Sequence, residues 1–477
     1  MFKKSILFII ILSFNLFSQS GVHKLKSDIQ KILNDRLFEH SQIAIDIYDL
    51  TEGKTLYKEN EKLLLHPASN MKLLTSAAGL IFLGGDYTFK TSLYHSGVIS
   101  GDTLYGSIFV EGGLDPDFTT TDLDSMIRSI SLLGIKHITE NLYADISIKD
   151  SLYWGRGWMW DDDPDPSAPY LSALNINDNS IEIFVEGSKI DSPAAVSLTP
   201  QTNYVNVINK SITVPQYEEN NFEITRDWIN RTNDIIIEGD VRAGTIIDSS
   251  DFTEKVNLLY PEKYFLTLMR EHLDSIGITV GGGIKISKLP GNVVFLNFYE
   301  RRLDSVLVNL NKESDNLSAE MLLYALALND SGAPASAKNG IGAINNLIDS
   351  VGLNPEDYTF ADGSGVSRYN LVSAELLTEL LKYMYYARKD LFDIYYSSLP
   401  VAGMDGTLEK RMNGTKAENN VHAKTGTIAG VSDLSGYVTA RNSHLIAFSI
   451  LIQNFLDETK KARSIEDKIC NLLTNYK

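Results

Sequence analysis

HPASNMKLLTSAAGLIFLGG, residues 66–85, is the stretch on which the reading of this chain depends. Its apolar run from Met71 to Leu83 is long and dense enough for a buried helix, closed by Gly84-Gly85. Ser69 stands where that helix begins, with Lys72 three residues on. One helical turn puts the two side chains on one face, so a lysine amine can take the hydroxyl proton. The first N–H groups of the helix can then stabilise charge on an attacked carbonyl. The competing reading is capping: serine is a favoured helix cap, and a chain of this length holds about one or two Ser-x-x-Lys spacings by chance. The stretch by itself leaves both open.

Upstream, Lys3 and Lys4 precede an apolar run from Ile6 to Phe17, interrupted by Ser13 and Asn15 and followed by Ser18 and Ser20. This predicts a signal peptide over 1–20, too short in its apolar part to span a bilayer, and export across the inner membrane to the periplasm. The only cysteine, Cys470, lies in a C-terminal helical pattern, so neither a lipid attachment at the cleavage site nor a disulfide framework is expected. With 477 residues, 43% of them hydrophobic, the chain has room for two or three domains. Its net charge of -18 argues against a nucleic-acid groove, which needs clustered Lys and Arg.

Before residue 66, a helical pattern at Leu25, Ile29, Ile32 and Leu33 leads into alternating strands around Glu52-Gly53. From about Tyr87 short strands and turns take over, including the loop WGRGWMWDDDPDPSAPY, and β patterning dominates until YPEKYFLTLMREHLDSIG. Helices return at SDNLSAEMLLYALAL and from about Ala374 to Arg388. Two strands, LSGYVTAR and HLIAFSILIQ, follow around Asn442-Ser443, and a helix from about Glu458 to Asn475 closes the chain. The pattern predicts one antiparallel sheet made from both chain ends and flanked by helices, a mixed α+β class. The expected borders are 21–88 and 289–477 for that domain and 89–288 for an insertion, with a nested β portion over about 177–256.

Two further clusters bear on Ser69. Ser314-Asp315-Asn316 opens a helix: Ser314 can pass protons to a leaving group and Asn316 can hold a substrate amide, while helix capping is the plain alternative. Lys424-Thr425-Gly426 lies on an edge strand, where Lys424 and Thr425 can bind a carboxylate, Gly426 admits close backbone approach and the Thr427 N–H can face a carbonyl oxygen. His422, two residues before Lys424, is expected to be structural or exposed. No metal or cofactor is implied, since none of the 8 histidines forms a ligand-like helical pair and the acidic runs lack calcium-loop spacing.

The order Ser-x-x-Lys, Ser-Asp-Asn, Lys-Thr-Gly is far more specific than any member. With GSIFVEGGLDPDF, GRGWMWDDD, SALNINDNSI, ADGSGVSRYN, GTLEKRM and AKTGTIAGVSDLSGYV, the chain resembles peptidase family S13 over its whole mature length. These are D-alanyl-D-alanine carboxypeptidases and endopeptidases of the penicillin-binding protein 4 type. GGLDP departs from the family, which usually has a third glycine there.

The resemblance implies a β-lactamase/transpeptidase-like catalytic domain interrupted by two inserted domains. It implies peptidoglycan stem peptides as substrates and β-lactams as covalent inhibitors, with peripheral association at the membrane surface compatible with both. The implied catalytic residues are Ser69, Lys72, Ser314, Asn316 and Lys424, with Thr425, Gly426 and Thr427 around the substrate. In the family the Trp-Asp loop reaches the cleft, which makes Asp161 or Asp162 a partner for the free amine of a diaminopimelate side chain and Arg368 a partner for its carboxylate.

Two rivals stay open. A serine β-lactamase shares the trio, yet the chain has no glutamate between Glu320 and Glu356 and NPEDYTF lacks the Glu-x-x-x-Asn deacylation pattern. A non-catalytic peptidoglycan-binding scaffold would have had to keep several motifs intact without using them.

Overall fold

The structure, a computed structural model, describes residues 21–244, 253–456 and 459–477, so the expected signal peptide lies outside the described residues. The chain forms two compact units. One combines the residues up to 86 with 307–315 and 341–477, and the other combines 87–306 with 316–340.

The sheet of the first unit joins both ends of the chain, as the strand patterns predict. β1 (Gln42–Asp49) and β2 (Lys54–Glu59) pair around the Gly53 turn, and β3 (Val421–Ile428), β4 (Val431–Thr439) and β5 (Leu445–Gln453) form an antiparallel meander. β1 runs antiparallel to β5 with Gln42 opposite Gln453 and Asp49 opposite Ile446. The order is therefore β3-β4-β5-β1-β2, with β3 at an edge.

Helices α1 (residues 21–33), α2 (Met71–Leu83), α3 (Ala374–Ala387), α4 (Lys389–Ser398) and α5 (Thr459–Thr474) belong to the same unit. β4 and β5 are buried nearly throughout because both of their faces are covered. On one face Leu25 and Ile29 of α1 and Ile465, Ile469, Cys470 and Leu473 of α5 pack on Ile45, Phe448 and Ile450. Fully burying one such aliphatic side chain contributes about 1.5–3 kcal/mol. The opposite face is lined by small side chains, among them Ala44, Ala447 and the hydrogen-bonded pair Ser435 and Ser449. There α3 is tied to the sheet: the Tyr437 hydroxyl donates to the Leu381 carbonyl at 2.9 Å, and Thr378 donates to the Asp46 carbonyl at 3.3 Å.

The second unit has its own core, in which Phe118, Ile127, Tyr264, Phe265 and Met269 are buried together. Ser180–Glu186, Ala195–Thr199 and Thr253–Asn257 make one three-stranded sheet, and Asn206–Val214, Asn221–Arg226 and Asp234–Arg242 make another. In its five-stranded sheet Thr88–His95 lies antiparallel to Val294–Arg302, and the Leu303 N–H donates to the Tyr87 carbonyl at 2.9 Å. The chain thus enters this long segment and leaves it side by side, the arrangement an insertion requires. No helix among the described residues is long and apolar enough to cross a membrane.

Candidate active site

Ser69 sits in a single 3-10 turn, Ala68–Asn70, that leads directly into α2. Its hydroxyl does not cap the helix: neither the turn nor α2 has a side-chain cap, and Ser69 Oγ instead accepts from Lys72 Nζ at 3.1 Å. The turn is strained, with Ala68 at φ 41°, a left-handed conformation that costs a β-carbon residue about 1–3 kcal/mol. Surrounding bonds hold it. Gln453, at the end of β5, accepts from the His66 N–H at 3.1 Å, and the His66 ring meets the Asn370 carbonyl at 3.2 Å.

The ADGSGVSRYN loop is built to meet this turn. Buried Asp362 accepts from the N–H groups of Gly365 and Ser367 at 2.9 and 2.6 Å and from the Asn370 carboxamide at 2.6 Å. That fold presents the Ser364 carbonyl to Lys72 Nζ at 2.8 Å and the Gly363 carbonyl to Thr75 at 2.6 Å. Gly365, at φ 90°, approaches so closely that a Cβ there would lie 1.8 Å from the Ala68 carbonyl oxygen. The loop and the Ser69 turn therefore define each other's position.

The second serine is placed by a different irregularity. A π-helix, Asn309–Glu313, ends at Ser314, which adopts φ 63°, and the following α-helix begins only at Asn316. Ser314 thus closes the π-helix. Its hydroxyl accepts from Lys424 Nζ at 2.8 Å. Lys424 is fully buried on β3 and also donates to the Thr425 carbonyl at 3.1 Å. Burial, with the charge of Lys72 next, pushes the Lys424 amine well below the usual lysine range. Gly426 lets β3 pass the Ser69 turn: a Cβ there would lie 2.7 Å from the Pro67 carbonyl oxygen and 2.9 Å from Asn70 Nδ2.

Ser69 and Ser314 open onto a cavity of about 170 Å³ that is also lined by Thr407, Arg411, Thr425, Thr427 and Arg463. Thr407 accepts from Thr425 at 2.8 Å. Of these residues, the motif analysis missed Thr407, Arg411 and Arg463. GTLEKRM contains the first two and was informative only as a block, whereas Arg463 lies in a helix with no motif to mark it. His422 stacks on Tyr396, ring centroids 4.1 Å apart, and burial lowers its proton affinity, the signature of a packed side chain.

The remaining predicted residues have surroundings of their own. Arg368 is half-buried, donates to the Ala429 carbonyl at 3.3 Å and is not among the residues lining the cavity. Asn316, Asp161 and Asp162 belong to the second unit, where the Asn316 carboxamide donates to the Ser167 carbonyl at 2.5 Å. The three consecutive acids of the Trp-Asp loop have three different environments. Asp161 is exposed, and Asp162 accepts from the Met159 N–H at 2.7 Å. Asp163 is buried, paired with fully buried Arg226 and bonded by the Tyr170 hydroxyl at 2.8 Å.

Comparison with known proteins finds relatives over nearly the whole chain. The family model for the D-Ala-D-Ala carboxypeptidase 3 (S13) family matches residues 25–476. A D-alanyl-D-alanine carboxypeptidase of Actinomadura sp. strain R39 is 31% identical, over 96% of this chain and 86% of its own. The D-alanyl-D-alanine carboxypeptidase DacB of Haemophilus influenzae is 25% identical over 93% of each chain. The crystal structure of penicillin binding protein 4 (dacB) from Haemophilus influenzae superposes with a TM-score of 0.81 at 25% identity, covering 94% of this chain and 99% of that one.

Proposed function

Because this chain belongs to the D-Ala-D-Ala carboxypeptidase 3 (S13) family and is a serine-type carboxypeptidase, we propose that Ser69 is its nucleophile and Lys72 its general base. The observation that carries the assignment is the pair of lysine–serine contacts, Lys72 to Ser69 at 3.1 Å and Lys424 to Ser314 at 2.8 Å, opening on one cavity. Two lysines are buried in one site, and burial with the charge of Lys72 lowers the proton affinity of the Lys424 amine.

In the proposed reaction Ser69 Oγ bonds to the carbonyl carbon of the penultimate D-Ala while its proton passes to Lys72 Nζ. The carbonyl oxygen becomes an oxyanion received by the N–H groups of Ser69 and Thr427, and losing one such donor costs about 2.7–4 kcal/mol of barrier. The peptide C–N bond then breaks as Ser314 gives its proton to the departing nitrogen and is reprotonated from the lysine pair. Water cleaves the resulting ester, releasing the shortened peptide and free Ser69. Thr425 and Gly426 border the substrate, and Asn316 holds its amide. Asp161 or Asp162 meets the free amine of a diaminopimelate side chain and Arg368 its carboxylate.

The substrate is read as peptidoglycan stem peptide, with endopeptidase cleavage of cross-links as a second activity of the same site. β-Lactams acylate Ser69. The N-terminal 20 residues are read as a signal peptide and the mature enzyme as periplasmic, with a peripheral place at the membrane surface. Segment 89–288 is taken as an insertion, with its β portion over about 177–256, into a catalytic domain made of 21–88 and 289–477. The side-by-side entry and exit at Thr88–His95 and Val294–Arg302 favours this reading.

Digesting purified uncross-linked and cross-linked muropeptides and weighing the products tests the assignment. The expected results are loss of one alanine from pentapeptide stems and conversion of dimers to monomers. Intact pentapeptides would refute the carboxypeptidase reading.

A further inference from the structure

Two arginines line the cavity beside Ser69, and their surroundings differ sharply. Arg411 is spent on its neighbours: it donates to Asp467 at 3.0 and 2.5 Å, to buried Glu466 at 2.8 Å and to the Arg463 carbonyl at 3.1 Å. Two carboxylates already balance its charge. Arg463, on the first turns of α5, is exposed. Its Nη2 donates to Thr427 Oγ1 at 3.2 Å, and no ion pair joins it to an acid among the described residues.

Two lysines, Lys72 and Lys424, also lie near the cavity through their bonds to Ser69 and Ser314, and Lys424 is unsuited to reading a free carboxylate. It is fully buried, bonded to the Ser314 hydroxyl and the Thr425 carbonyl, and does not line the cavity. Thr425 and Thr427 lie two residues apart on β3, hence on one face of the strand, and both line the cavity. A negative group entering beside Ser69 therefore finds two threonine hydroxyls and one guanidinium that has no ion-pair partner among the described residues.

The support beneath Arg463 is firm. Glu466, one turn further along α5, accepts from Ser432 on β4 at 2.7 Å and from Arg411, which in turn holds the Arg463 carbonyl. Helix α5 is thereby fixed against the sheet at the height of Gly426–Ile428, since Ser432 pairs with Thr427 across the strands.

We infer that Arg463 is the specificity-determining residue that binds the free α-carboxylate of the substrate's terminal residue, with Thr425 and Thr427 completing the cradle and Lys424 reserved for the proton relay. The inference rests on the carboxypeptidase reading above. It assigns terminal-carboxylate recognition to a helix outside all three motifs. A guanidinium suits the task because it stays charged at any working pH and its planar fork matches a carboxylate.

The test compares wild-type, Arg463→Ala and Arg463→Lys enzyme on a pentapeptide stem ending in D-Ala-D-Ala and on the same peptide with a C-terminal primary amide. For the free acid, Arg463→Ala is expected to raise KM about tenfold or more with kcat changed far less, and Arg463→Lys to recover part of the loss. For the amide, where no carboxylate is present, wild type and Arg463→Ala should have equal kcat/KM.

An equal loss on both peptides would mean a merely structural role and would overturn the inference, as would no change on either. Wild-type enzyme that released no alanine from the free acid would instead sink the carboxypeptidase reading, and this inference with it. Thermal melting of each variant checks folding, and the exposed position of Arg463 predicts unchanged midpoints.

Discussion

Lys424 Nζ lies 2.8 Å from Ser314 Oγ, with the lysine fully buried and the serine held at φ 63° to receive it. Left-handed backbone at a non-glycine residue persists only where its surroundings enforce it, and here it aims a hydroxyl at a buried amine. If the two act as one relay, Ser314→Ala and Lys424→Met should each lower kcat for alanine release by about 10²–10⁴-fold, and the double variant little further. Steady-state kinetics on all three would decide, since multiplicative losses in the double variant would mean independent roles.

Gly426 passes the Ser69 turn with no room for a side chain: a Cβ would meet the Pro67 oxygen at 2.7 Å and Ala68 Cβ at 3.2 Å. Gly426→Ala should displace β3 from Ser69, and a misplacement of this scale can cost about 10² in rate. Circular dichroism is expected to stay native while penicillin acylation slows. A variant that acylates at the wild-type rate would show that the close approach is unnecessary.

Asp433 on β4 is buried beside Glu466, accepts from the Ile452 N–H at 3.2 Å, and leaves Oδ2 without a partner among the described residues. Burial, with Glu466 second, raises its proton affinity well above the usual carboxylate range. Between its unfolded and folded values the native state binds more protons than the unfolded chain, so this group's contribution to stability falls as pH rises through that window. Asp433→Asn keeps the acceptor and removes the titration. Its melting-point gain over wild type should therefore be larger at about pH 8 than at about pH 4. A gain independent of pH would contradict the assignment.

The three acids of the Trp-Asp loop should separate in mutagenesis. Asp163 compensates the fully buried Arg226, and removing one partner of such a pair costs about 3–5 kcal/mol, measurable as a shift in urea midpoint. Asp161 is exposed, and Asp161→Asn should change stability by less than about 0.5 kcal/mol. It should instead raise KM for a stem peptide carrying free diaminopimelate relative to one with that amine acetylated. Equal KM changes on both peptides would remove Asp161 from substrate binding.

The parts of this site that were legible in the sequence are those that chemistry fixes at short range. Ser69 and Lys72 are joined by one helical turn, and β3 carries Lys424, Thr425, Gly426 and Thr427 in sequence, so spacing alone groups them. The sheet uniting both chain ends was readable because β1 lies in an alternating stretch around the Glu52-Gly53 turn and β5 follows the Asn442-Ser443 turn as a strongly apolar strand. Arg463 and Thr407 were not legible, because each reaches the cavity through packing between segments far apart in the chain. The same holds for the left-handed turns at Ala68 and Ser314, where non-glycine residues take a conformation their own preferences oppose.

The assignment of Ser69 is tested most directly by peptide mapping after incubation with benzylpenicillin, read by mass on wild-type and Ser69→Ala protein. A single penicilloyl adduct is expected on the wild-type peptide that contains Ser69, formed in a burst and slow to clear, with no adduct and no alanine release in Ser69→Ala. An adduct on another residue, or alanine release by Ser69→Ala at the wild-type rate, would contradict it.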